Sequence, residues 1–160
     1  MEDGGVFDPT HRDQSVVGMH LDPTNENGRR FLERGFTGPV TMLNLLRFRE
    51  WAEYSAFPEL APDAPITGRE AYDRYVAHTL PFLAAAGGEV QFLGEGGSYL
   101  IGPEDERWDV VMLVRHASVQ AFMGMAENAD YLAGLGHRVA ALEDSRLLPI
   151  EATSPMPNWV

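Results

Sequence analysis

The sequence predicts an α+β domain whose strands and helices follow the order β-α-β-β-α-β from residue 39 onward. The prediction rests on a strand-like run from Gly38 to Phe48, a capping box at Thr67 that opens a long helical pattern, and a second apolar run from Trp108 to Arg115. At 160 residues, 44% hydrophobic and 22% charged, the chain has the length of one domain with extensions and enough apolar surface to pack a core. The expected division is an N-terminal extension with a short helix over 1–37, the folded domain over 38–150, and an extended tail over 151–160.

Residues 1–20 carry Gly, Asp, His and Gln without period and read as a loose leader. Asp22-Pro23 offers an N-cap and a first-turn proline, so a short helix is expected to begin there, bury Phe31 and Leu32, and stop at Gly35. The run Val40-Thr41-Met42-Leu43-Asn44-Leu45-Leu46-Arg47-Phe48 follows a Gly-Pro breaker and ends in charge, which suits a strand. Residues 49–66 contain Pro58, Pro62 and Pro65 and read as a long connection without a regular element. Its aromatic residues Trp51, Tyr54 and Phe57 are expected to dock on the same subunit rather than to form a pocket lid.

In the box Thr67-Gly68-Arg69-Glu70, the hydroxyl and the carboxylate can each satisfy the other residue's free N–H. The helix that follows carries Tyr72, Val76, Thr79 and Leu83 on one face and Tyr75, His78 and Phe82 beside them. Pro81 predicts a kink or break near Thr79, and Gly87-Gly88 a left-handed cap. Glu89–Gly94 and Ser98–Gly102 read as short strands joined by a glycine turn at Glu95-Gly96-Gly97. Trp108–Arg115 is apolar on both alternating sets, which suits a central strand covered on both faces. Ser118 is the expected N-cap of a helix bearing Ala121, Phe122 and Met125. A second helical segment, about Asn128 to Leu142, shows Tyr131, Leu135, Val139 and Leu142 at one-face spacing. Arg146–Ile150 reads as a last strand, with Pro149 placing it at a sheet edge. The order is that of the split βαβ, or ferredoxin-like, motif.

These segments resemble a bacterial family known only as a domain of unknown function within the dimeric α/β-barrel superfamily. The resemblance lies in Met42–Phe48, Tyr72-x-x-Tyr75, Gly87-Gly88, Trp108-Asp109-Val110-Val111, Ala117-Ser118 through Phe122, and Tyr131 followed by Arg138 and Ala140-Ala141. It covers about residues 38–150, and the stretch between Arg49 and Ile66 is longer than that pattern. The resemblance implies two ferredoxin-like sheets closed face to face across a dimer axis. It also implies kinship with cofactor-free quinol-type monooxygenases, with EthD-like and NIPSNAP-like proteins, and with haem enzymes. A dimer follows separately from the pattern, because a single sheet with helices on one face leaves an apolar face bare, and that face needs a second layer.

Candidate pocket residues are Asn44, Arg47, Tyr72, Tyr75, Trp108 and Arg115. Asn44 shares strand parity with Val40, Met42 and Leu46, so a buried amide there needs a partner, either backbone or a ligand carbonyl or phenol. Arg47 and Arg115 stand at strand ends, where a cation beside apolar residues pairs with local carboxylates or with an anionic ligand. His78 is the candidate catalytic group, as a general base or a haem ligand, against the plainer role of a packed histidine. His116 and His137 are weaker candidates, and His11 and His20 are expected in solvent. No metal-ligand spacing, phosphate loop or nucleophile elbow is present in the sequence.

The absence of cysteine excludes disulfides, thiolate metal sites and thiol nucleophiles, and agrees with a cytoplasmic location. A net charge of -12 gives no general attraction to phosphate backbones or anionic membranes. No apolar run is long enough to span a bilayer, and Met1-Glu2-Asp3-Gly4-Gly5 lacks the apolar core of a signal peptide. The function expected is a homodimer that binds a small organic molecule in an apolar pocket. It would act as a cofactor-free oxygenase or isomerase, with haem as the one cofactor the resemblance leaves open. The rival is a non-catalytic binding or assembly module.

Overall fold

The computed structural model describes residues 19–153 and 155–160. The leader expected over residues 1–20, including His11, lies almost wholly outside them. Strands β1 (Val40–Phe48), β2 (Glu89–Ser98), β3 (Arg107–His116) and β4 (Leu142–Ile150) form one sheet in the order β2-β3-β1-β4. Every neighbouring pair is antiparallel. Helices α1 (Asn25–Glu33), α2 (Gly68–Ala85), α3 (Val119–Ala126), α4 (Ala129–Leu132) and α5 (Leu135–Ala141) complete the chain. From β1 onward this is the ferredoxin-like arrangement, with both central strands drawn from the strongest apolar runs.

Directly opposed residues on neighbouring strands share a face, so the register sorts the sheet into rows. On the helix side, Val110 lies opposite Leu46, and Met42 opposite Val114. These residues feed two apolar clusters. The larger joins Leu46, Val110 and Met112 to Tyr72, Ala140 and Leu142, and the smaller joins Val40 and Met42 to Val119, Phe31 and Phe122. On the other side, a row of Phe92, Leu113, Leu43 and Leu148 runs across all the strands. Phe92 is 54% and Leu148 53% exposed, so the described residues leave this row largely uncovered.

Local signals explain most element ends. The Thr67–Glu70 box closes as expected, with Glu70 N–H donating to Thr67 Oγ1 at 3.1 Å and Thr67 N–H to the Glu70 carboxylate at 2.7 Å. Ser118 Oγ accepts from Ala121 N–H at 3.0 Å. Gly87 ends α2 at φ 76°, a left-handed position that favours glycine.

Several expectations are corrected. The first helix is capped by Thr24, not Asp22, because Thr24 Oγ1 reaches the N–H of Asn27. Its Phe31 packs against Phe36 and Phe122, but Leu32 is exposed. α2 runs unbroken through Pro81. Glu95-Gly96-Gly97 is not a turn: it continues β2, with Glu95 opposite Val110 and Gly97 opposite Trp108, and the hairpin loop lies beyond Ser98. The glycine is needed in the strand, since a Cβ at Gly96 would stand 2.4 Å from the Trp108 carbonyl oxygen. The segment after Asn128 is split into α4 and α5 at Ala133-Gly134, and Gly134 packs on the His78 ring, where a Cβ would meet Cδ2 at 2.1 Å. Leu142 opens β4 rather than closing a helix, so the last strand is longer than Arg146–Ile150. The tail is not uniformly extended, for Val160 N–H closes a turn on the Pro157 carbonyl at 3.2 Å.

The connection over residues 49–66 holds one short 3-10 turn, Pro58–Leu60, and is tied down by its backbone. Arg49 and Glu53 donate to the carbonyls of Ala141 and Ala140, both at 2.9 Å, and Ala52 donates to Ile66 at 2.9 Å. Tyr54 is buried in the larger cluster, whereas Trp51 is exposed. Among the described residues no helix is long and apolar enough to cross a membrane.

Candidate functional site

The residues singled out in the sequence fall in three places. Asn44, Tyr72 and Tyr75 lie on the helix side of the sheet. Asn44 occupies the row Leu93, Met112, Asn44, Leu147. That row lies between the Met42 row, which α1 and α3 cover, and the Leu46 row, which α2 and α5 cover. Its edge residues stay open, with Leu93 65% and Leu147 48% exposed. Asn44 Nδ2 donates to the carbonyl of Met42 at 3.2 Å, and among the described residues its amide has no other bond. The amide therefore sits half-buried among apolar side chains, with its oxygen and a second N–H unclaimed by the described residues.

A chain of ring contacts runs alongside on α2 and α4. Tyr72 packs on Phe48 at 5.4 Å and on Tyr75 at 5.3 Å, and Tyr75 on Tyr131 at 6.3 Å. The Tyr75 and Tyr131 hydroxyls are hydrogen-bonded at 2.7 Å. Burial, reinforced by Tyr75, holds the Tyr72 and Tyr131 hydroxyls well above the usual tyrosine range. Both stay protonated at neutral pH.

The chain continues from Tyr131 through Phe82, at 6.5 Å, to His78, at 5.3 Å from Phe82, where α2 meets α4. The His78 Nε2 sits 2.8 Å from the Asp130 carbonyl oxygen and 3.1 Å from that of Tyr131. Carbonyl oxygens only accept, so Nε2 carries the proton and the ring pins one helix to the other.

Arg47, Trp108 and Arg115 lie apart from Asn44. Trp108 is 2% exposed but belongs to neither apolar cluster. Its ring is flanked by the guanidinium groups of Arg47, at 5.6 Å, and Arg146, at 5.0 Å. Its Nε1 donates to the Tyr99 hydroxyl at 2.8 Å and to Glu106 at 3.1 Å. Both arginines reach the buried Asp144, Arg146 at 2.8 Å and Arg47 at 3.5 Å, and Asp144 also accepts His20 N–H at 2.7 Å. Arg47 is thus engaged by a local carboxylate, the plainer of its two expected roles. Arg115 lies opposite Thr41 and Glu89 on the open face, and its guanidinium has no partner among the described residues.

Sequence reasoning missed the Tyr54–His137 pair, in which the hydroxyl lies 2.8 Å from Nδ1. It also missed the part played by Asp144. Tyr54 was legible as an aromatic in a loop that must dock; its partner, 83 residues on, was not. Tyr54 also borders a cavity of about 300 Å³ under the long connection, walled by Ala52, Pro62, Ala64 and Ile66.

No family model matches the chain, and neither does any curated protein. Among solved structures, the methylated RPA0582 protein matches with 38% identity and a TM-score of 0.76, over 86% of this chain and 97% of that one. A second structure of RPA0582, a protein of unknown function from Rhodopseudomonas palustris, matches with 38% identity and a TM-score of 0.75, over 86% of this chain and 99% of that one. An uncharacterized NIPSNAP domain protein from Burkholderia xenovorans is also similar, at 11% identity and a TM-score of 0.45, over 75% of this chain and 99% of that one. On the near-complete coverage and identity of the first two, the chain belongs to the family of the Rhodopseudomonas palustris RPA0582 protein.

Proposed function

We propose that the protein works as a homodimer in which each subunit binds a small organic molecule on the helix side of the sheet, against the apolar side chains around Asn44. The observation that carries the reading is the Asn44 amide, set among Met112, Leu147 and Met42 with an oxygen and an N–H unclaimed. An amide in that state matches a ligand carbonyl or phenol, which supplies the missing acceptor or donor while its apolar body packs on the exposed Leu93 and Leu147. The uncovered row Phe92, Leu113, Leu43, Leu148 supports the dimer, because face-to-face pairing removes it from water at roughly 1.5–3 kcal/mol for each large side chain buried.

Turnover as a cofactor-free oxygenase or isomerase is the extended form of this reading. Binding without turnover is the second form, and it is favoured by His78, whose Nε2 proton is committed to the carbonyls of Asp130 and Tyr131. A thermal-shift panel of phenols, quinones and haem tests the site. The expected result is stabilisation by a phenol or quinone that Asn44→Leu abolishes while the variant stays folded. An equal shift in wild type and variant removes Asn44 from the site. Oxygen uptake and isomer formation with the bound compound separate the two forms. Sedimentation equilibrium tests the assembly: wild type should be a dimer at micromolar concentration and Leu43→Asp a folded monomer. A monomeric wild type would end the dimer reading.

A further inference from the structure

Helix α2 presents hydroxyl groups to the helix side of the sheet that nothing described there accepts. The helix runs from the Phe48 end of β1, where Tyr72 packs, to the Arg115 end of β3, where Leu83 meets Gly88. Asn44 is the middle residue of β1, and Tyr75 and Thr79 fall in the middle of the path of α2. Tyr72, Tyr75 and Thr79 are spaced i, i+3 and i+7, which puts them on one stripe of the helix. Tyr72 shares an apolar cluster with Met112, the residue directly opposite Asn44, and Tyr75 packs against that cluster.

The protons on this stripe outnumber their acceptors. The Thr79 hydroxyl is buried without a partner among the described residues. It does not even make the bond to the carbonyl four residues back that a helical threonine commonly makes. The hydroxyl of the buried Tyr72 has no hydrogen bond among the described residues. Tyr75 and Tyr131 share one bond, so one of their protons is left over. Asn44 adds its second N–H, and the only carbonyl oxygen among these side chains is its own. A hydroxyl oxygen can accept, but a hydroxyl that accepts still leaves its own proton over. A ligand that fits therefore brings acceptors. It is also uncharged, since burial holds the Tyr72 and Tyr131 hydroxyls protonated and the same surroundings oppose a carboxylate or phenolate.

From the placement of these groups we infer that the ligand is a neutral ketone or quinone, held by its carbonyl between the Asn44 amide and the Thr79 hydroxyl. The inference rests on the Asn44 site proposed above and names its ligand class and a residue that selects it. Titration calorimetry with α-tetralone, a neutral ketone, and α-naphthol, a phenol of similar size, tests it. The ketone should bind the tighter of the two. Thr79→Val keeps the shape and removes the hydroxyl, so it should weaken the ketone about three- to tenfold. It should also move the carbonyl stretch of the bound ketone, in infrared difference spectra, toward its value in an apolar solvent. The unliganded variant should be no less stable to urea, because the buried hydroxyl has no partner to lose. Equal or tighter binding of the phenol, or an unchanged ketone affinity and carbonyl stretch in Thr79→Val, overturns the inference. If Asn44→Leu still abolishes binding in that case, the Asn44 site stands with another ligand class. Wild type that binds neither compound, or Asn44→Leu that binds both as well as wild type does, removes both readings.

Discussion

The Tyr54 hydroxyl lies 2.8 Å from Nδ1 of His137, joining the long connection after β1 to helix α5. The rings meet edge to face at 5.6 Å. The pair fixes a loop that otherwise rests on the backbone bonds of Arg49, Ala52 and Glu53. Tyr54→Phe keeps the ring packing and removes only this bond, so it should lower unfolding stability by about 1 kcal/mol. Urea denaturation measures that loss. Hydrogen exchange should quicken at Glu53, whose N–H donates to Ala140. Unchanged exchange there would show that the backbone bonds alone hold the loop.

Stability should fall in mild acid. Burial lowers the His116 pKa below its ordinary 6.5, and burial with Arg74 and His78 nearby lowers that of His137. The unfolded chain therefore binds more protons than the folded one near and below pH 6.5. Their contribution is intact above that pH and is lost as pH falls through the folded values. His116 Nδ1 is buried without a partner among the described residues, and its ring packs on Phe122 at 4.9 Å. His116→Leu should thus be neutral or stabilising by up to about 1 kcal/mol at pH 7.5. It should also flatten the loss as pH falls from 7.5 to below 6.5. Urea midpoints at the two ends of that range check both statements.

Two glycines should respond in opposite ways to alanine. At Gly68 a Cβ would stand 2.3 Å from the Arg49 carbonyl oxygen, 2.6 Å from that of Ala141 and 2.8 Å from Arg49 N. All three are backbone atoms where β1, α2 and α5 meet, so nothing flexible can yield. Gly68→Ala should cost about 3 kcal/mol or more. At Gly28, inside α1, a Cβ meets nothing within 4 Å, so Gly28→Ala should add about 0.5–1 kcal/mol. Thermal unfolding of the pair checks the contrast, and equal effects would contradict the packing at the α2 start.

The element order, the Thr67 and Ser118 caps, the edge position of Pro149 and the two-sided apolarity of β1 and β3 were legible in the chain. Each depends on residues no more than a few positions apart, through backbone periodicity and local hydrogen bonds. The bare sheet face was legible for the same reason, since alternation sets Val111 and Leu113 opposite to Val110, Met112 and Val114; that Leu43 and Phe92 join Leu113 depended on the register between strands. The glycine stretch at Gly94–Gly97 was misjudged because its turn signal is local, while its pairing with β3 is not. Only the tertiary structure separated Asn44 from Arg47, Trp108 and Arg115, turned His78 into a clip between helices, and joined Tyr54 to His137. Those outcomes depend on which side chains meet after the sheet closes and the helices settle on it. Contacts between residues far apart in the chain leave no periodic trace in either segment.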